Sequence, residues 1–272
     1  MAPLRLVGAL LLAAVLLPGE FLVQDLEQGF HRATMWAGGR ASRALIVYGT
    51  LAMCLIGLLI ARLVGDAPLR RIADRFGRRI EGIGAGAWAV GMGIIAFTLA
   101  LLVQRLVYEG LLTNPDEMVS LIQARYLAAG MLGGPLNGNP EHWLVINSLM
   151  SEAGWVSQYP PGHLAMLAIG ALVGAPLLVG PVSAGLTAAF FARAFELLLP
   201  ERVRSARFAS LLLAASPFTA LLGGQILSHS TTMLAGSLAL FASLRSRDAR
   251  ESRARLGWAV AAGAAGALMV AA

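Results

Sequence analysis

A set of polar side chains stands out against an otherwise apolar chain: Asp116, Glu117, His142, Gln158, Tyr159, His163, Gln225, Ser228 and His229. Carboxylates, imidazoles, amides and a phenol are the side-chain types that move protons or hold a polar ligand. Their spacing places them in loops or at the ends of apolar runs, and the interiors of those runs carry almost no ionisable residue. A transporter is expected to hold its substrate near the midplane, on broken helices with buried charges. The distribution here points instead to a site at a membrane surface. All 21 basic residues are arginine, which excludes Schiff-base chemistry and a P-loop lysine. Cys54 is the single cysteine, so an intrachain disulfide and a thiolate metal cluster are excluded as well.

Each polar residue also has a structural alternative. In "TNPDEMVSLIQARYLAAG" the pattern predicts a helix from Pro115 to about Ala129, with Asn114 as N-cap and Gly130 closing it. Asp116 and Glu117 then fall in the first turn, where acids complement the helix dipole, and Asn114 with Glu117 fits a capping-box variant. Arg105 and Arg125 sit near the outer interface, where an arginine either meets an anionic ligand or extends its head to water. His142 reads as a loop histidine, whereas His163 and His229 stand at helix starts. Trp143 and Trp155 read as interfacial aromatics.

The elements that must position these residues follow from composition. Hydrophobic residues make up 57% of the chain and charged ones 13%, against about 25% charged in an ordinary soluble domain. We read an all-α, polytopic membrane protein. Runs of about 20 apolar residues occur at 4–23, 45–64, 83–107, 180–199, 207–223, 229–244 and, incompletely, 257–272, giving about seven spanning helices. The first run reads as an uncleaved anchor, because it lacks a small-x-small cleavage site. The arginines fall in short clusters between these runs: six in 62–82, four in 193–207 and five in 245–255. With Arg5, 16 of the 21 share one face, the cytoplasmic one by the positive-inside rule. That pattern excludes nucleic acid as a partner. The loop 108–160, with acids around Arg125, falls outside. Arg32, Arg40 and Arg43 on the first outer loop run against the rule.

The same bookkeeping constrains "PGHLAMLAIGALVGAP", 161–176. If it crossed, the basic loops before 83 and after 199 would lie on opposite sides. Its 16 residues reach only about 24 Å at about 1.5 Å per residue, short of a hydrocarbon core roughly 30 Å thick. We read it as an interfacial helix with Pro161 in its first turn, which places residues 158 and 178 on one side. Two short extended pieces, "WLVINSLM" and "WVSQYP", joined by "SEAG", precede it. The glycines of "EGIGAGAWAVGMG" read as close-packing positions on a membrane helix.

The acidic pair in "PDEM" opening the first outer loop, the "SQYPPGH" element, and the alternation running from "FFARAFELLLPERVRS" through "ASPFTALLGGQILSHSTT" resemble the GT-C superfamily of membrane glycosyltransferases. The bacterial members related to protein mannosyltransferases and lipid A aminoarabinose transferase are the ones resembled. The similarity covers roughly 83–272, and order and sidedness carry it more than any one motif. It implies an inverting transfer of a sugar from a polyprenyl-phosphate-linked donor to a lipid, glycan or protein acceptor at the outer face of a bacterial inner membrane. Asp116 matches the family's first-loop acid and would be the general base, which suits a hydroxyl that loses its proton as it attacks the anomeric carbon. Glu117 would orient Asp116, bind the acceptor or help hold a divalent magnesium or manganese ion. Where many relatives carry a second acid, this chain has His229, a departure that puts a two-carboxylate metal site in doubt. Histidine there would bind phosphate when protonated or join Asp116 and Glu117 as a metal ligand when neutral. Arg105 and Arg125 would hold the departing polyprenyl phosphate, and Gln158, Tyr159 and His163 would face Asp116 across the cavity.

The resemblance divides the chain into two N-terminal membrane helices with a basic loop, 1–82, and a catalytic module, 83–272. The run "LGWAVAAGAAGALMVAA" stops without a polar flank, so we expect further helices beyond it. Two other readings fit the same composition: a transporter or flippase of lipid-linked sugars, and a non-catalytic assembly subunit.

Overall fold

Apolar runs of about 20 residues become helices because a backbone amide away from water has no partner outside its own chain. The computed structural model describes Leu55 and residues 66–135, 147–151 and 154–272. The run 4–23, the run 45–64 apart from Leu55, the arginines between them, Cys54, and the loop bearing His142 and Trp143 lie outside the described residues. The chain divides into two compact units, Met1–Arg75 and Phe76–Ala272, and the features below belong to the second.

The elements are α1 (Asp66–Glu81), α2 (Ala85–Leu102, extended by a π turn at Val103–Val107), α3 (Pro115–Ala128), β1 (Ser148–Ser151), β2 (Gly154–Ser157), α4 (Pro161–Leu172), α5 (Val179–Leu198, entered through a 3-10 turn at Pro176–Leu178), α6 (Val203–Ala214), α7 (Pro217–Gly223), α8 (Ser228–Asp248) and α9 (Ser252–Ala271). Three helices among the described residues are long and apolar enough to cross a membrane: Ala85–Val107, Pro176–Leu198 and Ser252–Ala271. Counting α6 and α7 as one span bent by 47° makes four. The bend falls where Pro217 has no N–H to continue the ladder.

The segment 229–244 forms a helix, α8, but polar residues from Ser228 to Thr232 and Arg245 to Asp248 at its two ends leave it outside the set apolar enough to span. The described chain is mostly helical, and the two short extended pieces expected before α4 pair as an antiparallel hairpin of β1 and β2, with Ser148 opposite Ser157 and Ser151 opposite Gly154.

Small residues decide how closely the helices approach. Ala89, Met92, Ala96, Ala188, Ala192 and Ala214 form one core with Trp88 and Ile80, a composition that lets membrane helices touch backbone to backbone. A Cβ on Gly185 of α5 would meet the Gly93 carbonyl oxygen of α2 at 2.9 Å, and one on Gly93 would meet the Gly185 oxygen at 3.1 Å. Of the glycines expected to pack, Gly93 does so, whereas Gly84, Gly86 and Gly91 face open space. Gly185→Ala is therefore expected to cost about 1–3 kcal/mol. Gly91→Ala should stay within about 1 kcal/mol of the parent. Thermal unfolding of the two variants in detergent compares them directly.

At one end of the bundle, buried Arg207 donates to Glu196 Oε1 at 2.9 Å and to the Ile80 carbonyl, with its guanidinium over the Trp88 ring. Trp88 in turn donates to Ser210 at 2.9 Å, and Arg204 meets Glu81 at 3.1 Å. These contacts tie the last turn of α1 to α2, α5 and α6. At the other end the Gln104 amide donates to the Leu177 carbonyl at 2.5 Å, so α5 begins where α2 finishes and runs antiparallel to it. The helix α4 begins and ends at this second end. His163 in its first turn bonds to Ile226, and the Leu177 that follows it bonds to Gln104. Twelve residues span only about 18 Å at about 1.5 Å per residue.

Candidate functional site

The site lies at the Gln104 end, built on the start of α3. Extended Asn114 caps the helix and Pro115 opens it. The Asn114 side-chain oxygen accepts from the Glu117 amide at 3.1 Å, while Glu117 Oε2 accepts from the amides of Thr113 at 2.5 Å and Asn114 at 3.3 Å, and from the Thr113 hydroxyl at 2.8 Å. The capping box is thus complete. Glu117 Oε1 accepts from the Ile226 amide, 2.9 Å away in the turn between α7 and α8. Glu117 is only 2% exposed, and both its oxygens are occupied by donors. It acts as a clip between two elements, with no oxygen left for the catalytic or metal-binding role expected of it.

Ile226 carries a second tie. Its carbonyl faces His163 Nε2 at 2.8 Å, and the Thr231 hydroxyl lies 2.9 Å from His163 Nδ1. A carbonyl can only accept, so Nε2 bears the proton and Nδ1 accepts from the hydroxyl. His163 is 1% exposed. The expectation that it faces Asp116 or a ligand is therefore corrected: both ring nitrogens serve the packing of α4 on the α7–α8 turn. Burial lowers its pKa, opposed by the Ile226 bond and aided by His229. The unfolded chain takes up a proton near pH 6.5 while the folded chain resists, so stability is full above that value. It falls as pH drops through the lower folded value. A parent that loses thermal stability between pH 7.5 and 5 should lose visibly less in His163→Gln, measured by parallel unfolding scans.

Asp116 has a different setting. It is half-buried, and Asn147 donates its amide to Oδ1. Asn147 adopts φ of 69°, a left-handed conformation that asparagine tolerates better than most residues. It precedes β1, and Gln158 follows β2, so the two meet at the open end of the hairpin: Gln158 donates from its backbone to the Asn147 carbonyl at 3.1 Å and from its side chain to Asn147 Oδ1 at 2.7 Å. Tyr159 lies alongside; its hydroxyl pKa is raised by burial and by hydrogen bonding to Asp116, against the lowering effect of Gln158. The hairpin is held against α3 by Gln123, which accepts from the Ser157 amide at 3.0 Å and donates to the Leu132 carbonyl at 2.7 Å. Trp155 adds an edge contact with Tyr126 and a backbone bridge to Gly134. Asp116, Gln158 and Tyr159 are brought together as expected. Asn147, which joins them, and Gln123, which places the hairpin, were not anticipated; the only signal for Asn147 was one amide in an extended apolar stretch.

Arg105 and Arg125 share a second feature. They line one open cavity of about 440 Å³ together with Leu112, Leu121, Pro176 and Leu177. Arg105 is exposed on the π turn in which its neighbour Gln104 is buried. Asp116 is not among the lining residues. Nine residues separate it from Arg125, which at about 100° and 1.5 Å per residue puts them on opposite flanks of α3, roughly 13.5 Å apart along its axis. His229 is exposed in the first turn of α8. Among the described residues no group of three or more His, Cys, Asp or Glu side chains is arranged to hold a metal ion, so Asp116, Glu117 and His229 are not gathered into a ligand set. Comparison with protein-family models, curated proteins and solved structures gives no match to this chain.

Proposed function

We propose that this protein is a membrane glycosyltransferase of GT-C type, with a seven-helix architecture, that moves a sugar from a polyprenyl-phosphate-linked donor to an acceptor at the outer face of the membrane. One observation carries the reading: the two arginines expected to hold the donor phosphate line one cavity with apolar walls, at the bundle end that also bears Asp116. Guanidinium groups bind phosphate bidentately, and apolar walls suit the first units of a polyprenyl chain. Asp116, oriented by Asn147, is the base that takes the proton of the acceptor hydroxyl as the anomeric C–O bond to phosphate breaks, which requires the donor phosphate to sit at the rim of the cavity on the side of Asp116, within reach of the long arginine side chains. The phosphate leaves with that bonding pair, countered by Arg105 and Arg125.

A second reading, a carrier of lipid-linked sugars, is favoured by the position of Asp116 outside the cavity. The test supplies purified full chain with polyprenyl-phosphate-linked hexoses and pentoses and measures both glycosylated product and lipid translocation. The double variant Arg105→Gln/Arg125→Gln is expected to raise the donor KM about tenfold or more. Translocation without any product would replace the transferase by the carrier.

A further inference from the structure

The α8–α9 corner carries five arginines, Arg245, Arg247, Arg250, Arg253 and Arg255, against the acids Asp248 and Glu251. Helix electrostatics account for only part of this. Arg245 and Arg247 lie in the last turn of α8, where cations complement the carbonyl end, but Arg253 and Arg255 lie at the start of α9, where the exposed N–H groups disfavour them. Pairing within the protein absorbs little more. Arg247 meets Asp248 at 3.0 Å with both side chains exposed, and Arg255 donates to the Ala249 carbonyl at 3.1 Å. Arg250 and Arg253 are exposed and form no ion pair among the described residues.

Position supplies the other half of the argument. The helix α9, starting at Ser252, is one of those long and apolar enough to cross a membrane, so the corner that precedes it stands at the headgroup level. The ring of Trp258 lies one to two turns further in, under the Arg245 guanidinium at 5.6 Å and edge-on to Phe241. A tryptophan there anchors the helix at the interface and holds Arg245 beside it.

We propose that the α8–α9 corner binds the headgroups of anionic phospholipids. The phosphates of neighbouring lipids pair with Arg250 and Arg253, and Arg245, fixed over Trp258, closes one side. The corner thereby selects the lipids that surround the bundle and fixes the depth of α9. This inference is independent of sugar transfer.

The experiment uses the purified full chain reconstituted in phosphatidylcholine vesicles, with spin-labelled phosphatidylglycerol and spin-labelled phosphatidylcholine as probes. The parent protein is expected to hold phosphatidylglycerol in preference, and the preference should fall about fivefold or more in Arg250→Gln/Arg253→Gln. Neither position has an ion-pair partner among the described residues, so the fold should survive; a matching unfolding midpoint checks this. Raising salt from 0.05 to 0.5 M, about a threefold shorter Debye length, should weaken the preference in the parent without any substitution. Equal association of the two probes with the parent overturns the proposal. A preference that survives in the folded double variant, or that ignores salt, overturns it equally.

Discussion

Asp116→Asn is expected to lower product formation about 10²- to 10⁴-fold, the usual contribution of a positioned general base, while the protein still inserts and folds. Asparagine keeps the shape of the side chain and a carbonyl oxygen that can accept from the Asn147 amide, so the hairpin end should stay in place. What it loses is the capacity to take a proton. The proposed mechanism gives the kinetic signature: kcat falls and the donor KM stays near that of the parent, because the proposal assigns the phosphate to Arg105 and Arg125, which line the cavity. The arginine double variant shows the opposite pattern. Near-normal turnover in Asp116→Asn, measured on purified protein with a matching unfolding midpoint, removes Asp116 from the mechanism and leaves the carrier reading. A fall in kcat that comes with a lowered unfolding midpoint instead marks Asp116 as part of the hairpin's support.

The contrast between Asp116 and its neighbour shows how far the sequence could be read. Local patterns were legible: the helix from Pro115 with its Asn114 cap, the start of α4 at Pro161, and the inability of that short helix to cross. The structure shows the shortness of that helix, twelve residues, rather than its place in a membrane; these features rest on neighbours in sequence, where proline geometry, capping spacing and rise per residue act alone. The capping half of Glu117's role was legible beside Asn114, but its tie to the α7–α8 turn and the role of His163 were not, because each depends on Ile226, a residue 109 and 63 positions away. An apolar side chain in a sequence gives no hint that its backbone N–H and C=O are both committed to side chains from other elements. Asn147 was missed for the same reason: its amide matters only once the hairpin end is set beside α3. Conversely, sidedness placed Arg105 and Arg125 at one end, and the structure has both lining one cavity, but sidedness says nothing about flanks of a helix, so the separation of Asp116 from the cavity emerges only in three dimensions.

The clip at Glu117 makes the largest prediction for stability. In Glu117→Ala the amides of Thr113, Asn114 and Ile226 and the Thr113 hydroxyl all lose their acceptor. Water reaches the first of these more readily than Ile226, which is 1% exposed and sits in the core with Leu121, Ala124, Leu167 and Ala168. A buried donor left without a partner costs about 1–3 kcal/mol, and bonds to a carboxylate are worth about 1.5–3 kcal/mol each, so a loss on the order of 3–5 kcal/mol is expected. Glu117→Gln keeps the volume and one acceptor oxygen but turns an NH2 group toward an N–H, and should fall between the parent and alanine. Because Ile226 also accepts from His163, freeing its amide loosens both ties at once, and the α7–α8 turn separates from α3 and α4 together. The double variant Glu117→Ala/His163→Gln should therefore cost clearly less than the sum of the two single changes, read from unfolding midpoints of the four proteins. Full additivity would mean that the two bonds to Ile226 act separately and that the turn is held by its apolar contacts.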